Sequence, residues 1–157
     1  MTDWTAPMTW SATPVKDAIL NAQIRDNIMN LKDPATAIYS YAYAVGDYKT
    51  TVSASWVAMG SPLSLTLETF GGDVFLFFNA TVTDAYLDFA VDDARQGGVD
   101  GILAVPILAT YGNLTRMTWV MPELAAGTHT FDVYWKTTGS GRLLQYVPPQ
   151  FVVREMS

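Results

Sequence analysis

The chain contains no cysteine, which excludes disulfides, thiolate metal sites and cysteine nucleophiles. Its single histidine, His129, leaves no histidine pair for metal binding or proton relay. Charge is sparse: 15% of residues are Asp, Glu, Lys or Arg, against roughly a quarter in ordinary globular chains. Nine basic residues lie scattered among fifteen acidic ones, for a net charge of −6. Nucleic acid and anionic membrane surfaces call for a basic stripe or cluster, so neither is an expected partner. No apolar run approaches the roughly 18 residues of a membrane-spanning helix. The start, Met1-Thr2-Asp3-Trp4, lacks the basic and apolar regions of a secretory signal. Release from a cell is therefore expected by another route, such as lysis.

What is present is apolar and aromatic. Half of the 157 residues are hydrophobic and 13% aromatic, which argues against disorder over the whole length. Few charges together with many aromatics imply that much surface is buried, and association between subunits is one way to bury it. The length suits one domain with a short appendage.

Three zones follow. Residues 1–13 are a polar, Thr-rich arm carrying Trp4 and Trp10. Residues 14–34 read as a helix. Thr13 is a good N-cap, Pro14 fits the first helical position, and Pro34 ends the run. Leu20, Ile24, Ile28 and Leu31 fall on one stripe at helical spacing. That stripe packs either on its own domain or in a short bundle about a symmetry axis, and fewer than three heptads cannot hold a coiled coil alone.

Residues 38–157 read as strands punctuated by turns, the pattern of a mainly β, jelly-roll-like sandwich. Leu63, Leu65 and Leu67 alternate with polar residues, and Val52, Ala54 and Trp56 do the same. Val74-Phe75-Leu76-Phe77-Phe78 is apolar on both faces, so it is expected to be covered twice: by its own core and by something else. Gly139-Ser140-Gly141 reads as a hairpin into Leu143–Val147, and Phe151–Arg154 as a last edge strand. Tyr39, Tyr41 and Tyr43 alternate with small residues, and their aromatic face suits an inter-subunit surface.

Reactive chemistry is hard to assemble. A catalytic His129 would need a nucleophile or an orienting carboxylate within hydrogen-bond reach; no Gly-x-Ser-x-Gly element is present and nothing marks any serine as activated, so a structural role is expected. Asp84, Asp88, Asp92, Asp93 and Asp100 form the densest acidic stretch but lack the ligand order of an EF-hand. Solvated turn aspartates are the default, and a loop calcium at Asp92, Asp93 or Asp100 the alternative. Gly71-Gly72 and Gly97-Gly98 lack the spacing of a phosphate loop. No cofactor is expected. Trp56, Trp119, Trp135, Tyr111 and Tyr146 are the aromatics that could stack on sugar, but core packing explains most of them.

Two segments resemble known families. Thr9-Trp10-Ser11-Ala12-Thr13-Pro14-Val15, Ala18-Ile19-Leu20-Asn21, Ile24-Arg25-Asp26-Asn27 and Leu31 resemble the N-terminal segment of tailed-phage virion proteins of the minor-tail or fibre type. Leu124-Ala125-Ala126-Gly127-Thr128-His129-Thr130-Phe131, with Trp135 and Gly139, is similar to late strands of jelly-roll fibre heads and of trimeric C1q-like domains. The resemblance implies a trimeric, non-catalytic head with an attachment arm, carried on the virion after assembly in a host cytoplasm. Fibre proteins usually have a long shaft between arm and head. Here strands follow the helix almost at once, which leaves room for a capsid decoration protein. The implied attachment residues are Trp4 and Trp10, which would reach other virion proteins of the tail or capsid. The implied oligomer contacts are Leu20, Ile24, Ile28, Leu31, Tyr39, Tyr41 and Tyr43. The alternatives are a receptor- or glycan-binding head and, more remotely, a small jelly-roll enzyme.

Overall fold

The computed structural model describes residue 24 and residues 36–40, 49–106, 112–144 and 148–156, of 36–40 the backbone alone. The arm, most of the expected helix, Tyr41 and Tyr43 lie outside the described residues; Ile24 is half exposed.

The protein is mainly β. Among the described residues twelve strands run in chain order: β1 (Thr36–Ser40), β2 (Lys49–Thr51), β3 (Val57–Ala58), β4 (Ser64–Thr69), β5 (Gly72–Thr83), β6 (Ala85–Val91), β7 (Ala94–Arg95), β8 (Leu103–Val105), β9 (Asn113–Leu124), β10 (Gly127–Lys136), β11 (Gly141–Leu144) and β12 (Gln150–Met156). They form two sheets of six, in which every pairing is antiparallel.

Several short strands share one position beside a long one. In the first sheet β12 and β11 lie end to end along β5, with β1 and β2 beyond them and β9 on the other side of β5. In the second, β3 and β4 lie along one side of β10, and β6 lies along the other with β7 and β8 beyond it. The pairing is therefore nested. The first strands meet the last, β4 meets β10, β5 meets β9, and β6 meets its immediate successors.

The alternation of side chains explains why the two sheets face one another. Val74, Leu76, Phe78, Ala80 and Val82 on β5 are wholly buried, as are Leu87 and Phe89 on β6, Phe131 and Val133 on β10, and Phe151 and Val153 on β12. They belong to one core. Phe89 of one sheet stacks on Phe151 of the other with ring centroids 5.8 Å apart, which ties the two layers at their centre.

Turn chemistry sets the corners. Asp92 and Asp93 both have positive φ, 49° and 64°, as the two-residue turn from β6 to β7 requires. Asp84, alone between β5 and β6 at φ 50°, turns the chain from one sheet to the other, and its Oδ2 accepts the Ser140 N–H at 2.7 Å. Lys49 donates to the carbonyls of Met59 at 2.6 Å, Gly60 at 3.2 Å and Ser61 at 2.5 Å. That contact pins β2 against the turn before β4, and burial of the ammonium lowers its pKa.

Three local readings change. The alternation through Val52, Ala54 and Trp56 does not form a strand there. The Ser53 N–H bonds the Thr51 hydroxyl, the Ser53 hydroxyl bonds the Ser55 carbonyl, and the Ser55 N–H bonds Ser53 Oγ. These local bonds compete with a ladder. Gly139–Gly141 joins β10 to β11, which lie in different sheets, so the turn is a crossover and not a hairpin. Finally β12 is an interior strand between β1 and β5; its alternating Phe151 and Val153 fill the core, a burial that an edge reading underestimates.

Candidate assembly face

The two sheets differ on their outer faces. On the outside of the second sheet, Asp88 of β6 is completely buried beneath the chain segment 95–101. One carboxylate oxygen accepts the Gly97 N–H at 2.8 Å and the other accepts Arg95 Nη1 at 2.9 Å. Burial raises the Asp88 pKa, and the bonds from Gly97 and Arg95 pull it back. The Arg95 guanidinium lies 4.3 Å from the Trp56 ring centroid. Lys136 Nζ lies 4.9 Å from the same ring and 5.1 Å from that of Tyr86, and it donates to the Val99 carbonyl at 2.7 Å. This face is polar and covered by its own chain. Trp56 is engaged by two cations, so its ring is not a free platform for sugar.

The outside of the first sheet carries an apolar strip, with the polar residues Asn79, Thr118 and Gln150 on the same face. On β5, Phe75 and Phe77 alternate with the buried core residues and are half-buried. Register sets Phe77 between Thr118 of β9 and Val152 of β12, and Phe75 between Val120 and Arg154. Leu114, Val120 and Met156 are 55%, 45% and 40% exposed. Phe75, Thr118, Trp119 and Val120 line a hollow of about 350 Å3. Exposed Arg116 and Arg154 share the face, and Asp73 at its end accepts the Glu123 N–H at 3.0 Å. Ile38 is in register with Val152 and Tyr39 with Phe151.

The expectation that Val74–Phe78 is covered on both faces marked this surface. Val120 and Val152 were not singled out, because only the strand order brings them beside the phenylalanines.

The acidic residues go elsewhere. Asp92 Oδ2 accepts His129 Nδ1 at 2.7 Å, and Oδ1 accepts the Thr130 N–H at 2.9 Å. His129 Nε2 faces the Ala125 carbonyl at 3.0 Å. The bond from His129 lowers the Asp92 pKa, and the bond to Asp92 raises that of His129. Asp93 accepts the Tyr134 hydroxyl at 2.9 Å, and Asp100 lies 3.6 Å from Lys136 Nζ. Asp88 and His129 therefore do not converge, and among the described residues no three His, Asp or Glu side chains gather as a metal site. Each of these groups ties a loop to a strand. The sequence matches no protein-family profile and no curated protein.

Proposed function

We propose that this chain is a non-enzymatic structural protein of a phage particle, a homotrimer whose jelly-roll head attaches through its N-terminal arm to a tail or capsid partner. The observation that carries this reading is the apolar strip on the outer face of the first sheet around Phe75, Phe77, Val120 and Val152. Solvent-facing sheet surfaces ordinarily carry polar residues at such positions, and a contiguous apolar patch marks an interaction surface.

The nested pairing supports the jelly-roll assignment. Counting strands that share a position as one leaves eight positions, with 1 against 8, 2 against 7, 3 against 6 and 4 against 5, the plan of a long hairpin rolled into two sheets. The polar side chains most suited to chemistry, His129 and the aspartates beside it, are engaged in holding turns. The arm carries Trp4 and Trp10, a residue type favoured as an interface anchor, and the stripe Leu20, Ile24, Ile28 and Leu31 offers a second contact between copies.

Incorporation into particles tests the attachment. Trp10→Ala should leave the head folded by circular dichroism yet reduce its copy number on purified particles at least several-fold. Full incorporation of the variant refutes the anchor, and absence of the wild-type protein from purified particles refutes the virion assignment.

A further inference from the structure

We infer that the carbonyls of Met59, Gly60 and Ser61 form a site for a monovalent, ammonium-type cation, and that the Lys49 ammonium is its tethered occupant.

The geometry is that of a cup and not of an ordinary lysine contact. Three successive carbonyl oxygens meet one nitrogen at 2.6, 3.2 and 2.5 Å, one for each N–H donor of an ammonium. Gly60, at the centre of the turn, takes φ +68°, a conformation that favours glycine. Lys136 makes the contrast. Its ammonium has one carbonyl, that of Val99, two aromatic rings and Asp100 at 3.6 Å. The ion pairs among the described residues are those of Arg95, His129 and Lys136. Lys49 has no carboxylate there, and carbonyl dipoles alone balance its charge.

The cup is fixed without help from Lys49. The Met59 N–H donates to the Val133 carbonyl at 2.8 Å, and the Leu63 N–H donates to the Gly60 carbonyl at 2.9 Å. Met59 and Leu63 are both buried in the core, which anchors the turn at each end. Ser61 is exposed, so the cup opens to solvent. Removal of the lysine side chain therefore leaves a preformed and reachable set of oxygens.

The oxygens select the class of cation. Neutral carbonyls replace the hydration shell of a weakly hydrated monovalent ion. Calcium takes about six to eight oxygens, carboxylates among them, and magnesium sheds its water reluctantly, so a divalent ion is poorly served here. A planar guanidinium holds its donors in a fixed fork and cannot aim three of them from one point as an ammonium does. The cup also has a place in the fold. Lys49 lies on β2 of the first sheet, whereas the cup lies between β3 and β4 of the second. One cation thus ties the two layers.

The test is rescue by free cations. Full-length Lys49→Ala is melted in ammonium, methylammonium and tetramethylammonium chloride at one ionic strength, beside the wild type. The variant should melt below the wild type in tetramethylammonium, which has no N–H. It should regain on the order of 2–4 °C in ammonium, saturably, and respond likewise to methylammonium, which keeps three donors. The wild type, with its cup filled, should show no such gain. An equal response of both proteins, or no preference in the variant, overturns the assignment. Should the variant be unfolded in tetramethylammonium, folding on addition of ammonium is the same positive result, and failure to fold in every salt is the negative one. As a second measurement, Lys49→Arg should melt below the wild type in all three salts; wild-type stability of that variant contradicts a site shaped for an ammonium.

Discussion

His129 and Asp92 stand 37 residues apart in the chain, yet their side chains meet at 2.7 Å, and the second ring nitrogen of the histidine faces the Ala125 carbonyl at 3.0 Å. Both nitrogens thus point at acceptors, and only the doubly protonated ring donates to both. The contact locks the end of β6 to the turn between β9 and β10, where the chain passes from one sheet to the other.

A pH dependence follows from this pair. The raised His129 pKa means that its contribution is complete below the unfolded histidine value, about 6.5, and is lost as pH rises through the folded value. The lowered Asp92 pKa means that its contribution is present above the unfolded aspartate value, about 3.9, and is lost as pH falls through the folded one. The latch is therefore strongest between about pH 4 and 6.5. Melting temperature measured from pH 4 to 9 should fall on the alkaline side for the wild type and fall less for His129→Gln. Parallel curves for the two proteins would remove the latch.

Asp88 supports segment 95–101 from below. Asp88→Ala leaves the Gly97 N–H without its acceptor and Arg95 without its partner, at a cost of about 2–3 kcal/mol. Denaturant unfolding should register that loss, and amide exchange should quicken at Gly97 in particular. An unchanged unfolding midpoint would mean that the segment is held by Trp56 and Lys136 instead.

Gly101 sits at φ +74°, and a methyl group there would lie 2.5 Å from both the Leu87 carbonyl and the Trp56 ring. Gly101→Ala combines backbone strain with that collision and should destabilise by about 1–3 kcal/mol. Loss of the native Trp56 fluorescence environment would accompany it. A neutral effect on both stability and fluorescence would contradict the packing of Trp56 against this turn.

Local periodicity was legible where a strand has one wet face. Leu63, Leu65 and Leu67 alternate with polar residues, and β4 forms there with Leu63 and Leu67 buried. The run at Val74–Phe78 was legible by the opposite pattern, apolar side chains on both faces: Val74, Leu76 and Phe78 fill the core while Phe75 and Phe77 form the outer strip. Partnership was not legible. The interior position of β12, the crossover at Gly139–Gly141 and the meeting of Asp92 with His129 are set by which strands pair across the whole chain. No local pattern encodes such pairings. The serine-rich stretch at residues 53–55 shows the converse, in which short-range side-chain bonds override an alternation that points to a strand. Of the residues implied for oligomer contact, Leu20, Ile28, Leu31, Tyr41 and Tyr43 lie outside the described residues. Tyr39 has a defined place, in register with Phe151 on β1.

The most direct measurement is the native mass of the purified full-length protein at micromolar concentration, by light scattering or sedimentation. Apolar side chains on the outside of the first sheet, covered by further copies, give three times the chain mass of 17.2 kDa, unchanged on moderate dilution. A single species at 17.2 kDa across the same range would contradict the homotrimer outright.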